Sequence, residues 1–326
     1  MALTDITDDI ASGNTGRMYA APARGVRSKP EWRDGREVRK PVVPWANPRV
    51  LTLVLVAYFA TMLALMQQRL NWTPPPLPAS VAEHLFSEGR AAEHISMPQL
   101  RQAHDYIERQ GRLLAELAAA RGGDVEVEVH RERVSGSVAM DFGGVPFTNA
   151  YRGLTNVVVT ITPRAARGRK GLLVASHQDS AVASPGASDD VAMVAVMLEA
   201  ARALLSRPTR ALPAAPLVLL FDGGEESICQ AGHGFFNSSA HVAGLGAFVN
   251  LEAMGAGGLP IIFQHTGAWT VAAWSRGAPN AHGARIAQDI FDTGLIPGDT
   301  DYRMFSARHY GTLPGLGGGA GLGGGE

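Results

Sequence analysis

This 326-residue sequence predicts an α/β protein whose mixed central sheet is flanked by helices and preceded by one transmembrane helix. Three observations lead there. From about residue 98 onward, strand-like apolar runs alternate with longer helical ones, the rhythm of a sheet with helices on both faces. Several of the runs are apolar at every position, as strands covered on both sides are. Near the N-terminus a stretch without one charge, Val50 to Met66, is close to the minimum length for crossing a bilayer. With 46% apolar residues the chain can also build a sizeable core.

In chain order, residues 1–45 are polar, rich in Pro and Gly and without apolar periodicity, which predicts a disordered cytosolic tail. Residues 50–68 read as a membrane helix rather than a buried one, because the flanks are polar all round. The long polar segment before it argues for an uncleaved signal anchor over a cleaved signal peptide. Arg33, Arg36, Arg39, Lys40 and Arg49 precede the helix and only Arg69 follows closely, so the positive-inside rule puts the N-terminus in the cytosol and everything after Gln67 in the lumen. Sequons at Asn71 and Asn237 suit that side, although Asn71 sits too near the membrane for modification. Residues 73–95 form a linker that begins with the stiff "TPPPLPAS". The balance of 29 Lys and Arg against 30 Asp and Glu offers no surplus charge, so nucleic acid is not an implied partner. Cys229 stands alone, which excludes an intrachain disulfide.

A helix is expected from about Pro98 to Arg121, capped by Ser96 and ended by Gly122 and Gly123. "DVEVEVHRERV" then alternates as a half-exposed strand. "NVVVTITP", "GLLVAS", "PLVLLF" and "GAFVNL" read as buried strands, with the helix "DVAMVAVMLEAARALL" after the second and another helical pattern before the last. Ligands gather at the carboxyl ends of such strands, and four segments there carry chemistry. His177 follows a strand, and Asp179 is placed to accept from its second ring nitrogen, as a metal-bound histidine requires. Asp189 and Asp190 adjoin the start of a helix, and such a doublet repels itself unless a cation lies between the carboxylates. Glu225 and Glu226 follow a glycine loop, where one carboxylate can bind metal and the other take a proton from water. Glu252 ends an apolar strand, where a charge is costly unless paired or coordinated. Singly, each has an ordinary alternative: a loop histidine, a helix cap, surface glutamates.

Jointly, H-x-D, G-A-S-D-D, E-E and a strand-ending Glu resemble the di-zinc aminopeptidases of the M28 peptidase family. "VSGSVAMDF", "TNVVVTITPR", "QAGHGFF", "FVNLEAMGAGG" and "IFDTGLIPGDTDYRMF" look like its membrane branch, the endoplasmic reticulum metallopeptidase 1 and vacuolar membrane protease group. The likeness covers about Val134 to Leu316 and the membrane helix. It implies a zinc exopeptidase-like domain over residues 96–316 that hydrolyses peptides. His177 and Glu252 would hold one zinc and Glu226 the other; Asp189 would bridge them, with Glu225 as general base and Asp179 orienting His177. It also implies an endoplasmic reticulum membrane protein with a lumenal peptidase domain, the vacuolar membrane being the alternative. His233 is not a ligand in the family pattern, and Asp299 and Asp301 are either substrate-side or structural, with turn chemistry favouring the structural role. One departure matters: the family places a last histidine in a Y-H-T motif, whereas here no histidine follows His309, which comes too early, and His265 lies in another segment. The expectation is therefore a domain incomplete at its C-terminus, one zinc in this chain where the family holds two, and a Gly-rich tail at 317–326 unable to pack as a core strand or helix. Two other readings stand beside the peptidase. One is a glutaminyl-cyclase-like acyl transferase, disfavoured by the Asp doublet; the other is a peptidase-like membrane scaffold without catalysis.

Overall fold

The structure, a computed structural model, describes residues 47–70, 77–87, 90–91, 100–142, 144–182, 184–253, 259–293 and 299–319, together with a two-residue pairing of Trp32–Arg33 with Arg36–Glu37. The rest of the expected N-terminal tail, Asn71, the start of the proline spacer, the Ser96 cap and residues 320–326 lie outside the described residues. The chain divides into two units, Met1–Gln67 and Gln68–Glu326. Helix α1 (Pro48–Leu70) belongs largely to the first and is apolar on every side, with Leu53, Phe59 and Leu63 more than 60% exposed. Its Pro48–Leu65 stretch has a mean hydropathy of 1.8 and is long and apolar enough to cross a membrane.

The second unit is built on an eight-stranded mixed sheet. Its strands are β1 (Val125–Phe142), β2 (Val145–Pro163), β3 (Gly171–His177), β4 (Leu217–Asp222), β5 (Leu245–Leu251), β6 (Ile261–Thr266), β7 (His282–Gly283) and β8 (Gly315–Gly319), in the spatial order β1-β2-β4-β3-β5-β8-β6-β7. β3 runs parallel to both β4 and β5, so their carboxyl ends share one edge of the sheet. Alternation along the strands divides the core in two. On one face Val157, Val159 and Ile161 of β2 and Leu219 and Phe221 of β4 meet α2 (Leu100–Ala119) and α3 (Ala192–Leu205) through Ile107, Leu114, Val194, Met197 and Leu198. On the other, Val158, Leu173, Ala175, Val218 and Leu220 meet Phe235 of α4 (Gln230–Ser238) and Tyr302, Met304 and Phe305 of α7 (Tyr302–Phe305). Fully burying each large apolar side chain contributes about 1.5–3 kcal/mol. Two further helices, α5 (Ala268–Gly277) and α6 (Arg285–Asp292), pack beside β6.

Three features differ from the sequence expectation. β1 and β2 run on past the sheet as a two-stranded ribbon: β2 pairs with β4 only over Val157–Ile161, whereas the hairpin continues to Phe142 and Val145. Part of the expected linker is packed structure instead. Glu199 of α3, whose side chain is wholly buried, accepts from the Ser87 amide at 3.0 Å and from the guanidinium groups of Arg90 and Arg202 at 3.0 and 2.7 Å.

The third difference corrects the reading of the Gly-rich tail, whose first residues form a strand inside the sheet. β8 lies between β5, to which it is parallel, and β6, to which it is antiparallel. Glycine fits because the neighbours already fill the space a side chain would need. A Cβ at Gly315 would stand 2.3 Å from the Phe248 ring, and one at Gly318 would stand 2.6 Å from the Ile261 carbonyl oxygen. The Gly318 carbonyl accepts the Glu252 amide at 3.1 Å, so this strand helps to place a site residue.

Candidate metal centre

His177 is the last residue of β3, Asp222 the last of β4, and Glu252 follows β5, so three parallel strands deliver their ends to one place. The imidazole is 1% exposed. Its Nε2 lies 3.1 Å from Asp189 Oδ1, 3.4 Å from Glu252 Oε1 and 4.0 Å from Glu225 Oε2. Its Nδ1 donates to the Asp179 main-chain carbonyl at 3.0 Å, with the Asp179 carboxylate 3.6 Å away. The sequence pointed to the carboxylate as that partner; the closer acceptor is the carbonyl of the same residue. The carboxylate instead accepts the amides of Glu225 at 3.2 Å and Glu226 at 3.3 Å, linking the histidine loop to the glutamate loop.

Asp189 and Asp190 precede α3, are joined by a cis peptide bond, and do not cap the helix with their side chains. His177, Asp189, Asp190 and Glu252 each offer a ligand atom within 4.8 Å of the others. Asp190 is wholly buried and accepts from Ser176 Oγ at 2.7 Å, which leaves its Oδ1 without a partner; Glu252 Oε2 is a second buried oxygen in that condition. Buried carboxylate oxygens facing one another without donors are the arrangement a cation resolves. A histidine with several carboxylates is a donor set that suits zinc.

Local electrostatics point the same way. Burial alone would depress the His177 pKa, but the carboxylates of Asp179, Asp189 and Glu252 raise it well above its usual value. Burial, reinforced by the Glu252 charge, pushes Asp190 well above the carboxylate range, and the same two causes raise Glu225. For Asp179 the effect of burial is outweighed by His177 and the two amide donors, so its pKa falls. Asp222 and Asp301 are also buried; burial raises Asp222 to about 6, and burial together with the Asp222 charge raises Asp301 well above its usual value.

Glu226 is exposed and stands outside the four-residue group, although burial and the Asp189 charge together raise its pKa. His265 lies on β6, and His309 faces Asp292 at 4.0 Å; neither is in the group among the described residues. His233 lies in α4 and bonds to Tyr151 Oη at 2.7 Å. Asp190 is the member sequence reasoning did not assign, and its only signal was the doublet itself.

A sequence profile described as Peptidase family M28 matches residues 156–318, half of the chain. The chain belongs to that family. All the site residues just described fall inside the matched segment. As a member of a zinc-dependent exopeptidase family, the M28 chain carries in its His177 group a possible metal site. It is 41% identical over 194 residues to endoplasmic reticulum metallopeptidase 1 of Homo sapiens, covering 59% of this chain and 21% of that protein. Vacuolar membrane protease of Laccaria bicolor is 30% identical over 205 residues, covering 62% and 18%. The M28 chain thus spans about a fifth of the length of the curated relatives it matches. Among solved structures, the Legionella pneumophila LapA aminopeptidase aligns with a TM-score of 0.46 and 14% identity, over 70% of this chain and 58% of that one.

Proposed function

We propose that this chain is a membrane-anchored zinc metallo-exopeptidase of the aminopeptidase type. The observation that carries the reading is the convergence of His177, Asp189, Asp190 and Glu252, with the buried Glu225 carboxylate 4.0 Å from the imidazole. His177, Asp189 and Glu252 would hold one zinc, with Asp190 an added buried carboxylate beside them and Asp189 and Glu226 the ligands available to a second. When bound, zinc polarises a carbonyl and lowers the pKa of water. Glu225 takes the proton of the attacking water and returns it to the leaving amine. Asp179 fixes the imidazole through its carbonyl and the glutamate loop through its carboxylate. The peptidase unit covers residues 96–316 extended through β8, and the substrate is a peptide.

The decisive variant is Glu225→Gln in the full chain. Zinc content should match that of the unaltered protein, while hydrolysis of an aminoacyl substrate falls about a hundred-fold or more. Equal activity would remove Glu225 from the role of base. The placement of His265 and His309 away from the group supports a second reading, a peptidase-like scaffold, which zinc retention without any hydrolysis would favour. Cyclisation of an N-terminal glutamine to pyroglutamate with release of ammonia, the peptide staying intact, would favour the acyl transferase.

Helix α1 is read as a signal anchor, with the peptidase unit lumenal in the endoplasmic reticulum membrane or, alternatively, at the vacuolar membrane. Its basic N-terminal flank supports that orientation. Asn237 is exposed, so the chain expressed in cells should gain an endoglycosidase-sensitive glycan that Asn237→Gln abolishes. Absence of the glycan at this exposed site would reverse the orientation.

A further inference from the structure

Immediately after Glu225 and Glu226 the backbone takes a left-handed path: Ile228 has φ 71° and Cys229 has φ 54°. A β-branched residue is rare there because its Cβ crowds the backbone carbonyl. Such a conformation persists only where the surroundings over-determine it. The determinant here comes from the ribbon. Asn149 of β2, paired with Val138, donates through Nδ2 to the carbonyls of Ser227 at 2.9 Å and Ile228 at 3.0 Å. Its Oδ1 accepts from Gln230 Nε2 at 2.7 Å. One carboxamide thus directs its donors and its acceptor to three of the four residues 227–230 that make the turn.

The turn is coupled to Glu225 at two further points. The Cys229 amide donates to the Glu225 carbonyl at 2.8 Å, and Cys229 Sγ approaches Glu225 Oε1 at 3.6 Å. The ribbon carrying Asn149 is itself held in place. Val134 and Tyr151 pack on Ala231 of α4, Tyr151 Oη bonds His233, and Tyr310 Oη donates to the Ala139 carbonyl at 2.9 Å.

We propose that Asn149 is a positioning residue for Glu225: the ribbon, through this one carboxamide, holds the left-handed turn and so fixes where the base stands relative to His177. The proposal rests on the hydrolytic reading above. A side chain that served only to stabilise the hairpin would change the folded fraction but not the turnover of folded molecules.

The test uses the full chain with Asn149→Ala and Asn149→Asp, the latter keeping the shape while replacing the double donor with an anion facing two carbonyls. Turnover per folded molecule on an aminoacyl substrate should fall about ten-fold or more in both, and further in Asn149→Asp, because small displacements of a reacting group are costly. KM should stay within about two-fold and zinc content should be unchanged, as for a group acting on the transition state. Amide exchange over residues 225–230 should accelerate while residues 157–161 of β2 stay protected. Unchanged turnover per folded molecule, or unchanged exchange in the turn, would overturn the assignment. Should both variants unfold, Gln230→Leu removes the third bond of the same carboxamide and should give a smaller effect of the same sign; no effect on exchange or turnover there overturns it equally. An unaltered chain that hydrolyses nothing, with Glu225→Gln making no difference, would sink the hydrolytic reading instead, and the exchange arm would still decide whether Asn149 holds the turn.

Discussion

Asp190 and Asp189 are neighbours with opposite exposures, one wholly buried beneath Ser176 and one half exposed beside His177. The buried carboxylate pays a desolvation cost and faces Glu252, which is why its pKa is pushed well above the ordinary range. Asp190→Asn should therefore act in opposite directions on the two forms of the protein. Without zinc the variant should melt at a higher temperature than the unaltered chain, since the folded state no longer has to hold a buried carboxyl protonated that the unfolded chain ionises freely. With zinc it should bind metal about ten- to a hundred-fold more weakly, the usual cost of altering a group that supports a metal site. A melting series with and without chelator measures both, and a loss of stability in the metal-free form would show that the repulsion argued here is absent. His177, Asp179, Asp189, Glu225, Glu226 and Glu252 were legible as candidates because each sits next to an apolar run, where a charged group needs a reason. Their sequence could not divide labour between adjacent residues. The roles of Asp190 and Asn149 depend on backbone direction and on a contact across 78 residues, neither of which leaves a local signal.

Among the elements, the runs apolar on both faces were readable: residues 156–163, 171–176, 216–221 and 246–251 all fall in strands or within a residue of one, and the expected 190–205 helix is α3 with its preceding turn. The outer half of the hairpin was not, because there half-exposed polar and apolar residues pair with each other and pack on α4 rather than in the sheet core. β8 escaped for a different reason. Propensity argues against glycine in strands, and only the crowding by Phe248 and Ile261 makes it suitable. The segment before α2 reads as a linker because it is polar and rich in proline, yet Glu199 ties it to α3. That tie can be tested. Glu199→Ala leaves the buried Ser87 amide without an acceptor and two arginines, 16% and 25% exposed, without their anion. The loss should be about 3 kcal/mol, the lower range for breaking a buried ion pair. Proteolysis at residues 77–91 should become faster than in the unaltered chain. A variant equally stable and equally resistant would mean that this segment contributes nothing to the domain.

For the whole domain, the candidate site makes stability depend on pH and on zinc in linked ways. In the metal-free protein Asp190, Glu225 and Asp301 have raised pKa values and Asp222 is raised from 3.8 to about 6, so the folded state keeps protons that the unfolded chain releases. Their contribution is complete below the ordinary carboxylate range and is lost as pH rises through the folded values. His177, raised from 6.5 by its carboxylate partners, behaves alike: its contribution is present below 6.5 and is lost as pH climbs through its folded value. His104, His233, His241, His265 and His309, partly desolvated, have lowered values and oppose this trend only below 6.5, where the unfolded chain begins to take up their protons. Asp222 has lost its contribution by about pH 6, whereas between about pH 6.5 and 8.5 Asp190, Glu225, Asp301 and His177, all raised well above their usual values, act unopposed by these histidines, and the metal-free melting temperature should fall as pH increases. Zinc reverses the sign. Its ligands must be deprotonated, so its affinity grows over the same interval, and binding to the folded state alone stabilises that state by mass action. The separation between the zinc-loaded and chelator-treated melting curves should widen steadily with pH. Parallel curves, or a metal-free protein that gains stability toward pH 8.5, would mean that these buried carboxylates and His177 are not the cluster in need of a cation that the geometry describes.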